Sequence, residues 1–141
     1  MNRVALAFAA LAIAAGCTTN PGDPTGPLRP GALTLDDTVS VVLGRSAITR
    51  DGAVRVSFLE KLDDSRCGID AICIWAGDVG AVLRIETLEQ SGEGRVHTAL
   101  NPKEFLLGDY KISLVDMHPY PGDKRPLPQV AAVRVLRPKS P

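Results

Sequence analysis

The sequence predicts an all-β fold, an antiparallel β-sandwich of about seven strands and immunoglobulin-like size, with a small barrel as the alternative. Three observations predict it. From Gly31 onward apolar residues recur at every second position, and no stretch sustains the 3.6-residue period of an amphipathic helix. Turn-forming residues interrupt these runs at short intervals. No strand–helix–strand unit and no internal repeat is present, so a parallel sheet has no crossover to build it.

Taken in order, the first two short runs are Ala32–Leu35 and Val39–Leu43. Arg50-Asp51-Gly52 supplies a turn. Residues 53–59 follow, with Val54, Val56 and Phe58 on one face. In the next run Ala81, Leu83 and Ile85 alternate with Val82, Arg84 and Glu86. Ser91-Gly92-Glu93-Gly94 reads as a hairpin connection leading into a strand at 95–100. Asn101-Pro102-Lys103-Glu104 has the cap, proline and acid of a helix start, and Gly108 limits that helix to one or two turns. Tyr110, Ile112 and Leu114 alternate with Lys111, Ser113 and Val115. The last run, 131–136, places Ala131, Val133 and Val135 on one side. Ribbons of this kind have one face on a core and one in water.

Composition narrows the function. The 141 residues carry 16 basic and 16 acidic side chains, so no net field draws the chain to nucleic acid. Aromatics make up only 4%, too few for a row of base-stacking platforms. No G-x-S-x-G, H-E-x-x-H or phosphate-binding glycine loop occurs. Scattered glutamates on exposed faces keep a surface wet and do not make an acid–base pair. The expectation is no enzyme, no cofactor and no metal.

The beginning of the chain reads as an address. Asn2 and Arg3 precede an unbroken apolar run, Val4–Ala15, which is followed by Gly16 and Cys17. Twelve residues span ~18 Å as a helix, short of the ~30 Å hydrocarbon core, so a secretory signal fits better than a membrane span. Ile13-Ala14-Ala15-Gly16-Cys17 resembles the lipobox of bacterial lipoproteins, with Ala14 where Leu is commoner. The resemblance implies removal of residues 1–16 and a diacylglyceryl thioether on Cys17. The membrane is then a partner through two or three acyl chains, which hold far more firmly than one. In a Gram-negative cell Thr18 after the cysteine implies sorting to the outer membrane, facing the periplasm. Residues 18–30 hold four prolines and two glycines, the composition of a tether. The expected organisation is a signal at 1–16, a lipidated tether at 17–30 and a sandwich domain at 31–138.

One stretch stands out. Residues 63–78, DDSRCGIDAICIWAGD, hold two of the three cysteines, the only tryptophan and four acids, between two strand-like runs. In an oxidising exported compartment Cys67 and Cys73 are expected to pair. The C-x5-C spacing departs from redox pairs. His97 and His118 lie at no zinc-site spacing from the cysteines, and His97 reads as a solvated strand residue. Asp63, Asp64, Asp70 and Asp78 leave a calcium site open, although not at EF-hand spacing.

The run Asp64-Ser65-Arg66-Cys67…Cys73-Ile74-Trp75-Ala76-Gly77 resembles a D-S-R-C-P-x4-C-x-W-x-G motif of small exported bacterial proteins. A second matching element is Leu114-Val115-Asp116-Met117-His118-Pro119-Tyr120-Pro121. Gly68 stands where the motif usually has proline. The resemblance spans about 34–136 and supports the fold and the disulfide, but it brings no activity with it.

Two roles compete for these residues. As structure, Trp75 packs inward over the disulfide or the sandwich end, and Asp64 caps turn amides and pairs with Arg66. As function, Asp64, Arg66, Trp75, Gly77, Asp78 and Tyr120 belong to a recognition surface, with Trp75 and Arg66 of the types enriched at contact hot spots. The proline-rich 118–128 loop is a second contact candidate. The reading is a lipid-anchored, non-enzymatic envelope protein that binds a partner or serves structurally. The alternative is an inhibitor of exported proteases that acts through the end loops of the sandwich.

Overall fold

A computed structural model describes residues 23–138; the expected signal, Cys17 and the first part of the expected tether, 17–22, lie outside the described residues. Among the described residues there are eight strands and no helix. They are β1 (Leu35–Val42), β2 (Ser46–Ile48), β3 (Arg55–Asp64), β4 (Val79–Glu86), β5 (Ser91–His97), β6 (Glu104–Leu107), β7 (Tyr110–His118) and β8 (Val130–Arg137). They form two four-stranded sheets, β1-β8-β7-β6 and β2-β3-β4-β5, every pair antiparallel. The sheets do not close into a barrel. The fold is a β-sandwich.

The core is what the alternation requires. Val54, Val56, Phe58, Leu83 and Ile85 of one sheet face Ile112, Met117, Val133 and Val135 of the other, all at most 1% exposed. At ~1.5–3 kcal/mol for each large apolar side chain buried, this seam is the main source of stability.

Four expectations about the elements change. The runs at 32–35 and 39–43 become one strand, β1: Asp36 faces outward, and Asp37 keeps the inward phase because its carboxylate accepts from the Arg50 amide (2.7 Å). Ser91–Gly94 is the first half of β5, and the turn falls earlier, where Thr87 Oγ1 accepts from the Glu89 and Gln90 amides. Gly92 and Gly94 are strand residues because the Phe105 ring covers them; a Cβ on Gly94 would lie 2.3 Å from Phe105 Cδ2. The helix start at 101–104 is instead a crossing into β6, with Pro102 O accepting from the His97 amide. Leu107 pairs with Tyr110 across Gly108-Asp109, a two-residue hairpin turn with Gly108 at φ +55°.

The sandwich has two poles. The starts of β1, β3, β5 and β7 share one end, and the ends of β3, β5 and β7 share the other. Ten-residue β3 separates them by ~30 Å. Residues 23–30, the described part of the expected tether, lie on the first pole. Arg55 donates from Nε to Pro24 O (3.1 Å) and from Nη2 to Gly26 O (2.6 Å), and the Arg29 amide donates to Gly52 O (2.9 Å). The 65–78 loop occupies the opposite, distal pole.

Candidate functional site

The distal loop is closed at its neck by short bonds between its flanks. The Ser65 amide donates to Asp78 O (2.7 Å), and the Asp78 amide donates to Ser65 Oγ (3.0 Å). Gly77 makes the neck possible. Its φ is +69°, and a Cβ there would lie 2.5 Å from both Arg66 Cα and Ser65 O. The Cys67–Cys73 disulfide closes the loop's outer part, with Cα atoms 5.8 Å apart.

Arg66 is the centre of the pole. Only 9% exposed, it sends Nε and Nη2 to the two oxygens of Asp64 (2.9 and 2.8 Å), a bidentate pair. Nη1 donates to Asp116 Oδ1 (3.2 Å) and to Met117 O, and Nη2 also reaches Pro119 O (3.2 Å). Five N–H groups thus meet five acceptors, and the guanidinium is saturated. The Tyr120 ring lies 4.2 Å from Arg66 Cζ, and Tyr120 Oη donates to Asp116 (3.0 Å). One side chain therefore ties the end of β3 to the end of β7 and the loop beyond it, joining the two sheets.

Burial pushes the Asp64 carboxyl up, but the bonds from Arg66 and Lys61 and their charge outweigh it and bring it to about 2. The same burial raises the Tyr120 phenol, with Asp116 adding to the rise.

Asp78 does for a third loop what Arg66 does for the second. At 6% exposed, its Oδ1 accepts from the Ala99 and Leu100 amides (2.7 and 3.0 Å). Its Oδ2 lies 2.7 Å from His97 Nδ1. Burial opposes its ionisation, yet these donors hold its pKa below the ordinary carboxylate value. A carboxylate has no proton to give, so His97 Nδ1–H is the donor. His97 is therefore a partly buried partner of Asp78, not the solvated strand residue expected from its alternation.

The remaining motif residues point outward. Trp75 is 60% exposed; its indole Nε1 donates to Ser65 O (3.2 Å), but its ring does not enter the core. The expected inward packing of the ring is not what the loop does: the indole N–H is held on the loop's own backbone at Ser65 and the ring stays at the surface. Ile72 and Ile74 are fully exposed, with Cys73 between them turned back to its disulfide. Ile69 is half exposed, and its amide donates to Pro121 O (3.0 Å). That bond places the 118–128 loop beside the motif loop.

The site residues named from the sequence thus fall into two groups. Asp64, Arg66, Gly77, Asp78, Tyr120 and the Cys67–Cys73 bridge come together and build the pole; Trp75 stands on its surface. Sequence reasoning missed Asp116, His97, Ile72 and Ile74. Asp116 had a signal in the second motif element, and the out–in–out alternation of 72–74 around a cysteine was a signal for the isoleucines. Among the described residues no three His, Cys, Asp or Glu side chains gather as a metal site. Of the four acids that left calcium open, Asp64 is spent on Arg66 and Asp78 on the Ala99 and Leu100 amides.

Protein-family models, curated proteins and solved structures contain no match to this chain.

Proposed function

We propose that this protein is a lipid-anchored, non-enzymatic envelope module that binds a protein partner through its distal pole. One observation carries the reading: three large apolar residues on either side of the disulfide-bonded Cys73, Ile72, Ile74 and Trp75, face solvent although Arg66 and Asp78 at the base of the loop are saturated and buried. Exposed large apolar residues clustered on a rigid protrusion mark contact sites. Burying both isoleucines is worth roughly 3–6 kcal/mol, enough to decide an affinity.

The tether supports the same arrangement. Five residues lie between Cys17 and Asp23, a reach of at most ~20 Å. With Pro24 and Gly26 on the proximal pole, a lipid on Cys17 holds that pole near the bilayer and presents the tip toward the far side of the compartment.

The alternative, an inhibitor of exported proteases, gains from a further observation. The 65–78, 98–103 and 119–129 loops meet at one pole, joined by Asp78, Arg66 and the Ile69–Pro121 bond.

Ile72→Asp with Ile74→Asp tests the binding reading. The pair leaves the melting temperature of the domain unchanged, because both side chains touch only solvent, and abolishes the specific envelope complexes recovered with the wild-type chain. Identical complexes from the variant would refute the reading. The anchor is checked by the intact mass of the membrane-fraction protein, expected to lack residues 1–16 and to carry acyl chains.

A further inference from the structure

We infer that residues 71–74 are presented as a ready-made short extended peptide to the active-site cleft of an exported endopeptidase with aliphatic side-chain pockets. The inference rests on the distal pole being a binding surface and names its partner. Three features of the segment lead there.

The first is conformation. Ile72 and Ile74 point outward and Cys73 inward, the two-residue alternation of an extended chain; both isoleucines are fully exposed, and the chain bends away only at Ile74 and Trp75. Full exposure of successive outer residues makes a ridge, so the complementary surface is a cleft with pockets two residues apart. The second is the main chain. Among the described residues, the backbone N–H and C=O groups of 72–75 enter no hydrogen bond within the protein, whereas Ile69 and Ala71 on the near side do. An extended segment with free main-chain groups is what clefts that read peptides by strand-like pairing require. The third is fixation at both ends. Cys73 is tied to Cys67, and the Trp75 indole and the Asp78 amide are tied to Ser65. The ordering entropy that a loose peptide loses on entering a cleft is already lost here. A cut between Cys73 and Gly77 would leave both new ends held in place, which favours an occupied cleft over release.

Charge argues against a lipid surface as the occupant. Residues 67–77 carry one charge, the acidic Asp70, where a lipid-inserting element is fringed by Lys or Arg. The pole is also the one remote from the tether.

The test places a photo-reactive p-benzoylphenylalanine at position 72 of the full-length chain in its native envelope, with the same group at Leu33, exposed on the opposite pole, as control. The expected adduct joins position 72 to a peptide from the catalytic cleft of an exported endopeptidase. The wild-type chain then inhibits that enzyme, and Ile72→Asp with Ile74→Asp, verified as folded and oxidised, inhibits it at least ~100-fold more weakly. An adduct to lipid, to a second copy of the chain or to a protein surface outside a catalytic cleft would overturn the endopeptidase while leaving the binding reading in place. No adduct above the Leu33 control would overturn both.

Discussion

Arg66 and Asp78 show how two side chains organise a loop pole that has little secondary structure of its own. Each is buried, and each spends its hydrogen-bonding capacity on a neighbouring loop, so neither retains a group for a partner. Lysine in place of Arg66 keeps the charge but offers three donors from one point, not five in a plane. Arg66→Lys is therefore expected to cost about 3 kcal/mol of unfolding free energy, read from urea denaturation, since several buried acceptors are left unpaired. Asp64 sets the response to acid. Its carboxyl lies at about 2 in the folded protein against ~3.9 unfolded, so its contribution is complete above about pH 4 and is lost as pH falls through about 2. Asp64→Asn is expected to lower stability at neutral pH and to flatten the stability-versus-pH curve between pH 4 and 2. An unchanged acid limb in the variant would show that other carboxylates carry it.

Among the elements, the period-two runs place β1, β3, β4, β7 and β8, because a half-buried strand must alternate. The misread elements are those where a packing partner distant in sequence overrides a local signal. Gly92 and Gly94 look like turn residues until Phe105, more than ten positions later, lies across them. Asn101-Pro102-Lys103-Glu104 carries a valid helix-start pattern, but Glu104–Leu107 pair with β7 and Gly108 turns a hairpin. Three-residue β2 is too short for any period to register. The motif loop was legible as a disulfide-closed connection, whereas the direction of Trp75 was not, since spacing along a loop fixes no face. Gly94→Ala tests the packing explanation. Its methyl group meets the Phe105 ring, so a loss of about 1–3 kcal/mol is expected in thermal or urea unfolding, although alanine elsewhere in a strand is at least as good as glycine.

In the whole molecule, the distal pole has one set of residues that builds it and another that it displays. The saturated Arg66 cluster, the Asp78 cluster and the disulfide make a rigid base; Ile72, Ile74 and Trp75 stand on it, about 30 Å from the end that carries the tether. The two-sheet core supplies the stability that lets such a tip remain apolar and exposed. The display of Trp75 is the point at which this account and a purely structural role for the motif diverge, and Trp75 is the only tryptophan in the chain. Iodide quenching of its fluorescence in the folded, oxidised protein is the direct measurement. The account predicts quenching close to that of the urea-unfolded chain and an emission maximum that moves little on unfolding. A shielded, blue-shifted emission that becomes quenchable only on unfolding would contradict it, placing the indole in the interior and leaving the motif a structural staple.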